Sequence, residues 1–172
     1  MIEYRPFRNS DPPQLVRLWH ESNLGRGAAR GFSYEALDRL LIGQHYFDPA
    51  GFLVACDAGQ VVGFVHAGFR SSDSGDWIHR DSGAISAIVV HPSRRRTGIG
   101  RELMSRAETY LQQLGATSIQ VGAAPPCDPF YHGLYGGAAV SGFLESNADA
   151  APFLATLGYQ PTQKFIVLQR SL

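Results

Sequence analysis

The run Val90-His91-Pro92-Ser93-Arg94-Arg95-Arg96-Thr97-Gly98-Ile99-Gly100-Arg101 joins an apolar strand to a helix through three arginines and two glycines. Residues 85–90 (Ile-Ser-Ala-Ile-Val-Val) read as a buried strand, which Pro92 ends. Residues 101–114 then carry Leu103, Met104, Ala107, Tyr110, Leu111 and Leu114 at helical spacing. Gly98 and Gly100 remove side chains at the junction, so free backbone N–H groups and the positive end of the helix dipole can face an anion. That is the build of an anion cradle. A solvated basic turn that merely caps a helix has the same composition, and on this segment alone both readings stand.

Two common phosphate-binding patterns fail on spacing. A P-loop needs four residues between its glycines followed by Gly-Lys-Ser/Thr, and a dinucleotide fingerprint needs Gly-x-Gly-x-x-Gly; neither occurs around Gly98 and Gly100. The set Arg95-x-x-Gly98-x-Gly100 after a strand resembles the acyl-CoA diphosphate loop of the GNAT superfamily of N-acetyltransferases, written Gln/Arg-x-x-Gly-x-Gly/Ala. A second segment, Asn147-x-x-Ala150-x-x-Phe153-Leu154-x-x-x-Gly158-Tyr159, is similar to that superfamily's later motif, Asn-x-x-Ala-x-x-Leu/Phe-Tyr-x-x-x-Gly-Phe. It departs at one anchor: Leu154 stands where the family usually has a tyrosine, often the acid that protonates the departing thiolate.

The resemblance spans roughly residues 85–159 and implies a fold, a cosubstrate and an activity. The implied fold is α/β, a mixed, mostly antiparallel sheet whose central parallel strand pair splays around acyl-CoA, flanked by helices. The implied cosubstrate is acetyl-CoA, with no metal. Its amides would pair with Ile88, Val89 and Val90. Its diphosphate would sit on the amides of Arg96, Thr97, Gly98, Ile99, Gly100 and Arg101, with charge from Arg95 and Arg96. Asn147 would contact the pantetheine arm or its neighbourhood. The implied reaction moves an acetyl group to a primary amine by direct transfer in a ternary complex. The acceptor, a small-molecule or peptide amine, is expected near Tyr34, His45, Tyr46 and residues 131–135.

The element order agrees with the superfamily's βααβββαβαβ plan. Residues 2–7 read as a strand, and Asp11-Pro12-Pro13 supplies a capping residue and prolines for a helix through Trp19. Residues 33–44 read as a helix with Leu37, Leu40 and Leu41 on one face. Residues 52–56 and 61–69 form a hairpin around Asp57-Ala58-Gly59-Gln60. After the Gly115 helix stop, residues 117–122 make a strand that a helical crossover places parallel to residues 85–90. Residues 124–146, rich in Gly, Pro and aromatics, form a long connection, and residues 163–169 alternate as a last strand.

Attack by an amine requires loss of a proton, and the sequence offers no clear base. Ser86 is the polar residue within residues 85–90, Asp81 and Ser82 lie just before it, and His66 and His79 lie on or after the neighbouring strand. His91 reads as structural. A thiol has a reference pKa of about 8.5, so the thiolate leaves with weak assistance and Leu154 does not preclude catalysis. Tyr131 and Tyr135 are the candidates for a hydroxyl in its place; packing of the connection as a lid explains them equally well. Nothing near Cys127 marks an activated thiolate. The absent tyrosine and base leave a second class open, a non-catalytic acyl-CoA-binding regulatory module.

The chain of 172 residues fits one domain over residues 1–172. With formal net charge zero the arginine cluster is a local feature, so no nucleic-acid partner is expected. Cys56 and Cys127 make no metal or disulfide framework, which points to a reducing, cytoplasmic setting. No apolar run suggests a signal peptide or a membrane span. Exposed sheet edges make a homodimer an expectation.

Overall fold

Ala58 and Gly59 adopt φ of 48° and 79°, the left-handed pair that a two-residue hairpin turn between twisted strands requires. They join strand β2 (Phe52–Asp57) to β3 (Gln60–Ser71), which pairs in turn with β4 (Ile78–Val90). Strands β1 (Ile2–Pro6) and β5 (Ser118–Val121) flank these, giving among the described residues a sheet in the order β1-β2-β3-β4-β5. Neighbours are antiparallel except β4 and β5, which run parallel. The computed structural model describes residues 1–72, 76–124, 127–130, 142–164 and 166.

β4 begins earlier than the sequence reading places it. Its first half carries His79, Arg80, Asp81 and Ser82 on exposed or half-buried positions, so it lacks the apolar signal of residues 85–90. His79, Asp81 and Ser82 therefore lie on the strand and not outside it.

Helix α3 (Ile99–Gln113) covers one face of the sheet, packing Leu103, Met104, Ala107 and Leu111 on Val65, Ala67, Ile85 and Ile88. The opposite face takes α1 (Pro12–Glu21) and α2 (Tyr34–Leu37), whose Leu15, Leu18, Trp19 and Leu37 pack with Phe52, Val54, Phe64 and Val89. α1 runs two residues past Trp19. Asp11 precedes it but does not cap it with its side chain. The carboxylate instead accepts two hydrogen bonds from Arg5, each 2.7 Å, and one from the Arg8 N–H at 2.8 Å.

Ser33 caps α2, its Oγ accepting from the Ala36 N–H at 3.3 Å. The predicted regular helix over residues 33–44 is interrupted: Asp38–Ile42 widen into a π-helical turn closed by the Gly43 N–H on the Asp38 carbonyl at 2.7 Å. Leu37 and Leu41 remain buried, whereas Leu40 is 44 % exposed, because the wider turn breaks the common apolar face. Helix α4 (Ala150–Ala155) follows Asp149, and in the turn after it Gly158 takes φ of 88° and the Tyr159 N–H bonds back to the Leu154 carbonyl. Of the expected final strand over residues 163–169, Gln163, Lys164 and Ile166 lie outside any strand, and residues 165 and 167–169 fall outside the described residues. No helix among the described residues is long and apolar enough to cross a membrane.

Candidate active site

The parallel ladder is short. It runs from Ser82↔Ser118 to Ile85↔Val121 and closes with the Gly122 N–H on the Ile85 carbonyl at 3.0 Å. At the same level the β3–β4 register slips, with His66 opposite Ala87 but Ala67 opposite Ile85, so Ser86 is an extra residue in β4. Such a bulge bends a strand out of its ladder. Among the described residues, no strand pairs with residues 86–90 of β4 on the β5 side. The His91 N–H bonds to Val62 of β3 at 2.9 Å, so by alternation the main-chain groups of Val90 and Ile88 face the open side.

The open edge leads into the arginine turn. Pro92–Arg94 form one 3₁₀ turn, Arg96 takes φ of 63° and Gly98 φ of 90°, and α3 starts at Ile99. Among the described residues, the backbone N–H groups of Arg96 through Arg101 meet no hydrogen-bond acceptor; the first such bond at the helix start runs from Glu102 to Gly98 at 3.1 Å. Six successive donors at a helix N-terminus form a concave anion receptor. The two glycines serve different ends. A Cβ at Gly98 would meet nothing within 4 Å, so its need is the left-handed backbone; a Cβ at Gly100 would lie 3.3 Å from the Phe153 ring, so its need is close approach.

This turn closes one end of a cleft of about 350 Å³. Ile88, Val89 and Val90 form its floor, and Arg95, Arg96, Gly98, Gly100, Arg101 and Asn147, all candidates from the sequence, are brought together along it. Thr97 and Ile99 do not line it: Thr97 Oγ1 donates to the Arg94 carbonyl at 2.7 Å, and the Ile99 side chain is buried beneath the turn. Asn23 and Leu24, Asp149, Ala150 and Phe153 also line the cleft. Ala150 and Phe153 belong to the second sequence motif; Asn23, Leu24 and Asp149 carried no signal, since only tertiary packing brings the end of α1 there.

The three arginines diverge. Arg94 pairs with Asp57 of the hairpin. Arg95 and Arg96 lie 3.6 and 3.4 Å from the Asp149 carboxylate, with the Arg96 side chain 87 % exposed. The carboxylate trims the positive potential without removing the backbone donors. The donor set thus fits a diphosphate.

The groups considered for acid–base chemistry are scattered. Leu154 is buried in the core against α3, where the superfamily motif has its tyrosine. Tyr131 and Tyr135 lie outside the described residues. Ser86 Oγ is buried at the bulge and, among the described residues, has no hydrogen-bond partner. Cys127 Sγ donates to the Ser82 carbonyl at 3.4 Å, and burial pushes the thiol up, away from a nucleophilic thiolate. His91 Nδ1 is 2.8 Å from Ser93 Oγ and its Nε2 3.6 Å from Glu21, a structural setting. His79 packs tilted against exposed Trp77, with ring centroids 4.0 Å apart and an interplanar angle of 45°. Tyr34 and His45 are exposed, and Tyr46 packs on Phe130 at 5.5 Å with its hydroxyl pushed up by burial and by Asp128.

His66 is fully buried among Phe130, Phe52 and Phe47, with centroids at 4.0, 5.1 and 6.0 Å, and burial pushes its pKa down to about 3. The folded state therefore holds a neutral imidazole at pH values where the unfolded chain protonates it. Stability is full above the unfolded value of 6.5 and falls as pH drops toward 3. Between pH 7 and 5 the protein loses about 2 kcal/mol through this group. Urea titrations at the two pH values should show that loss, and a variant His66→Gln should show a flatter dependence.

Comparison with known proteins identifies the class of fold and then the family. The chain spans 99 % of the aminoglycoside acetyltransferase AAC(6')-Iy, solved with the bisubstrate analogue CoA-S-monomethyl-acetylneamine; that structure covers 100 % of this chain at 14 % identity and a TM-score of 0.62. The Acetyltransferase (GNAT) family pattern matches residues 13–136. The chain belongs to the GNAT family of acetyl-transferring enzymes. It is 33 % identical over 120 residues to acetyltransferase SG1711 of Sodalis glossinidius, an alignment covering 70 % of this chain and 74 % of that protein. It is 31 % identical over 116 residues to a mycothiol acetyltransferase of Propionibacterium freudenreichii, covering 67 % of this chain. The chain spans only 35 % of that relative's length.

Proposed function

We propose that the protein transfers an acetyl group from acetyl-CoA directly to a primary amine of a small-molecule or peptide acceptor. The observation that carries this reading is the row of backbone donors from Arg96 through Arg101, opening on a cleft floored by the unpaired edge of β4. Those donors bind the diphosphate oxygens, and the exposed side chains of Arg96 and Arg101 add charge. The main-chain groups of Ile88 and the Val90 N–H receive the amides of the pantetheine arm, as a neighbouring strand would, while the Val90 carbonyl accepts from Arg95. Asn147 borders the arm, while Leu24 and Phe153 keep water from it. Bound acetyl-CoA supplies an activated acetyl thioester.

Direct transfer is favoured by Cys127, which is buried, hydrogen-bonded and held in its thiol form. Cys127→Ala should retain amine-dependent thiol release within about twofold, and intact-mass measurement of the wild type with acetyl-CoA should show no acetylated protein. Tyr131 and Tyr135 are the proposed donors of the proton to the departing thiolate, because the Leu154 position offers no hydroxyl. The same Leu154 favours a second reading, a non-catalytic acyl-CoA-binding module. One experiment separates them: thiol release from acetyl-CoA across a panel of primary amines, with binding measured in parallel. Release that depends on an amine establishes the transferase; binding without release establishes the module; absence of binding refutes both.

A further inference from the structure

The middle arginine of the turn folds back onto the protein. Arg95 Nε donates to the Val90 carbonyl at 3.1 Å, one terminal nitrogen donates to the Ser22 carbonyl at 2.6 Å, and the other lies 3.6 Å from Asp149. Val90 is the last residue of β4 and part of the cleft floor. Ser22 is buried and ends α1, where carbonyls lack helical partners and the dipole is negative. The next residues, Asn23 at φ of 49° and Leu24, turn into the cleft wall. Asp149 precedes α4 on the other side. One guanidinium thus joins the floor of the cleft to helix termini on both its sides. The planar fork of arginine can serve these divergent acceptors, whereas the single ammonium of lysine cannot span them.

We propose that Arg95 is a positioning residue: it sets the width of the cleft by tying the end of α1 to the end of β4, and it leaves phosphate charge to Arg96 and Arg101. The inference rests on the acetyl-CoA reading for its binding consequences and on hydrogen bonds within the chain for the tie itself. If Arg95 works by its fork, a charge-conserving lysine does not replace it. If it works by its charge, lysine does, and its removal lowers the salt dependence of binding.

The test compares the wild type, R95K, R95Q and R96Q in two measurements. The first is acetyl-CoA affinity by calorimetry over a series of salt concentrations; the second is amide hydrogen exchange at Asn23 and Leu24 without ligand. R95K and R95Q should each weaken binding about tenfold with the wild-type salt dependence, and should speed exchange at Asn23 and Leu24 about tenfold. R96Q should reduce the salt dependence and leave that exchange unchanged. Wild-type affinity in R95K, a reduced salt dependence in R95Q, or unchanged exchange in both Arg95 variants would overturn the proposal. If the wild type itself does not bind acetyl-CoA, the cosubstrate reading falls, and the exchange data still decide whether Arg95 ties α1 to β4.

Discussion

Gly98→Glu should sharply weaken acetyl-CoA binding in a protein that remains folded. Gly98 sits at φ of 90°, a backbone state that costs a residue with a Cβ roughly 1–2 kcal/mol. The position is exposed and a Cβ there meets no neighbour within 4 Å, so the core is undisturbed and the cost falls on the turn. The glutamate carboxylate would lie among the free N–H groups of Arg96 through Arg101 and occupy them with the wrong anion. Strain and like-charge repulsion together should raise Kd by about a hundredfold or more, equivalent to about 3 kcal/mol. Calorimetric titration beside a circular dichroism spectrum measures both parts. Gly98→Ala carries the strain without the charge and should show a smaller loss. Wild-type affinity in Gly98→Glu would remove the turn from the binding site.

Asp11→Ala should cause a large loss of stability at a site away from the cleft. The Asp11 and Arg5 side chains are 2 % and 12 % exposed and joined by two 2.7 Å hydrogen bonds, and Asp11 also accepts from the Arg8 N–H. Alanine strands the Arg5 guanidinium in a largely buried site and releases the corner between β1 and α1. Breaking a buried pair by removing one partner costs about 3 kcal/mol at the low end, which suits a partly accessible arginine. For a domain of this size the thermal midpoint should fall by about 6–12 °C in a calorimetric scan. Asp11→Asn keeps an acceptor for Arg8 and should fall less. A shift below about 2 °C would mean that the pair does not anchor the corner.

Residues 85–159 were the legible part of the chain because their signals are local. A strand of six apolar or small residues, two glycines at fixed spacing and a helical apolar period can each be read without knowing the rest of the molecule. The parallel pairing of β4 and β5 followed from one helical crossover. The bulge at Ser86 had no such signature, since it exists only in the register between β3 and β4. The first half of β4 was missed because its polar side chains meet solvent, and the π turn after Leu37 because a widened turn keeps nearly the same apolar composition as a regular one. Asp11 illustrates a third limit. Its position before two prolines suits a cap, yet Arg5 on the neighbouring strand claims its carboxylate, a competition that only tertiary contacts reveal. In the cleft, motif spacing located the turn, Val90 and Asn147. It did not locate Asn23 and Leu24, which approach from a helix far away in sequence.

The sheet order also carries a temporal consequence. β2, β3 and β4 follow one another along the chain, and β5 reaches β4 over a single helix, so these ladders close over short stretches of sequence. β1 reaches β2 only by closing residues 7–51. The entropy lost in closure grows with loop length, and local contacts form sooner. The β2–β5 unit, with the glycine turn inside it, should therefore assemble first, and β1, α1 and α2 should then dock onto a cradle already shaped. Sequence drift in those late-docking helices can alter what approaches the cleft without slowing the event that builds it.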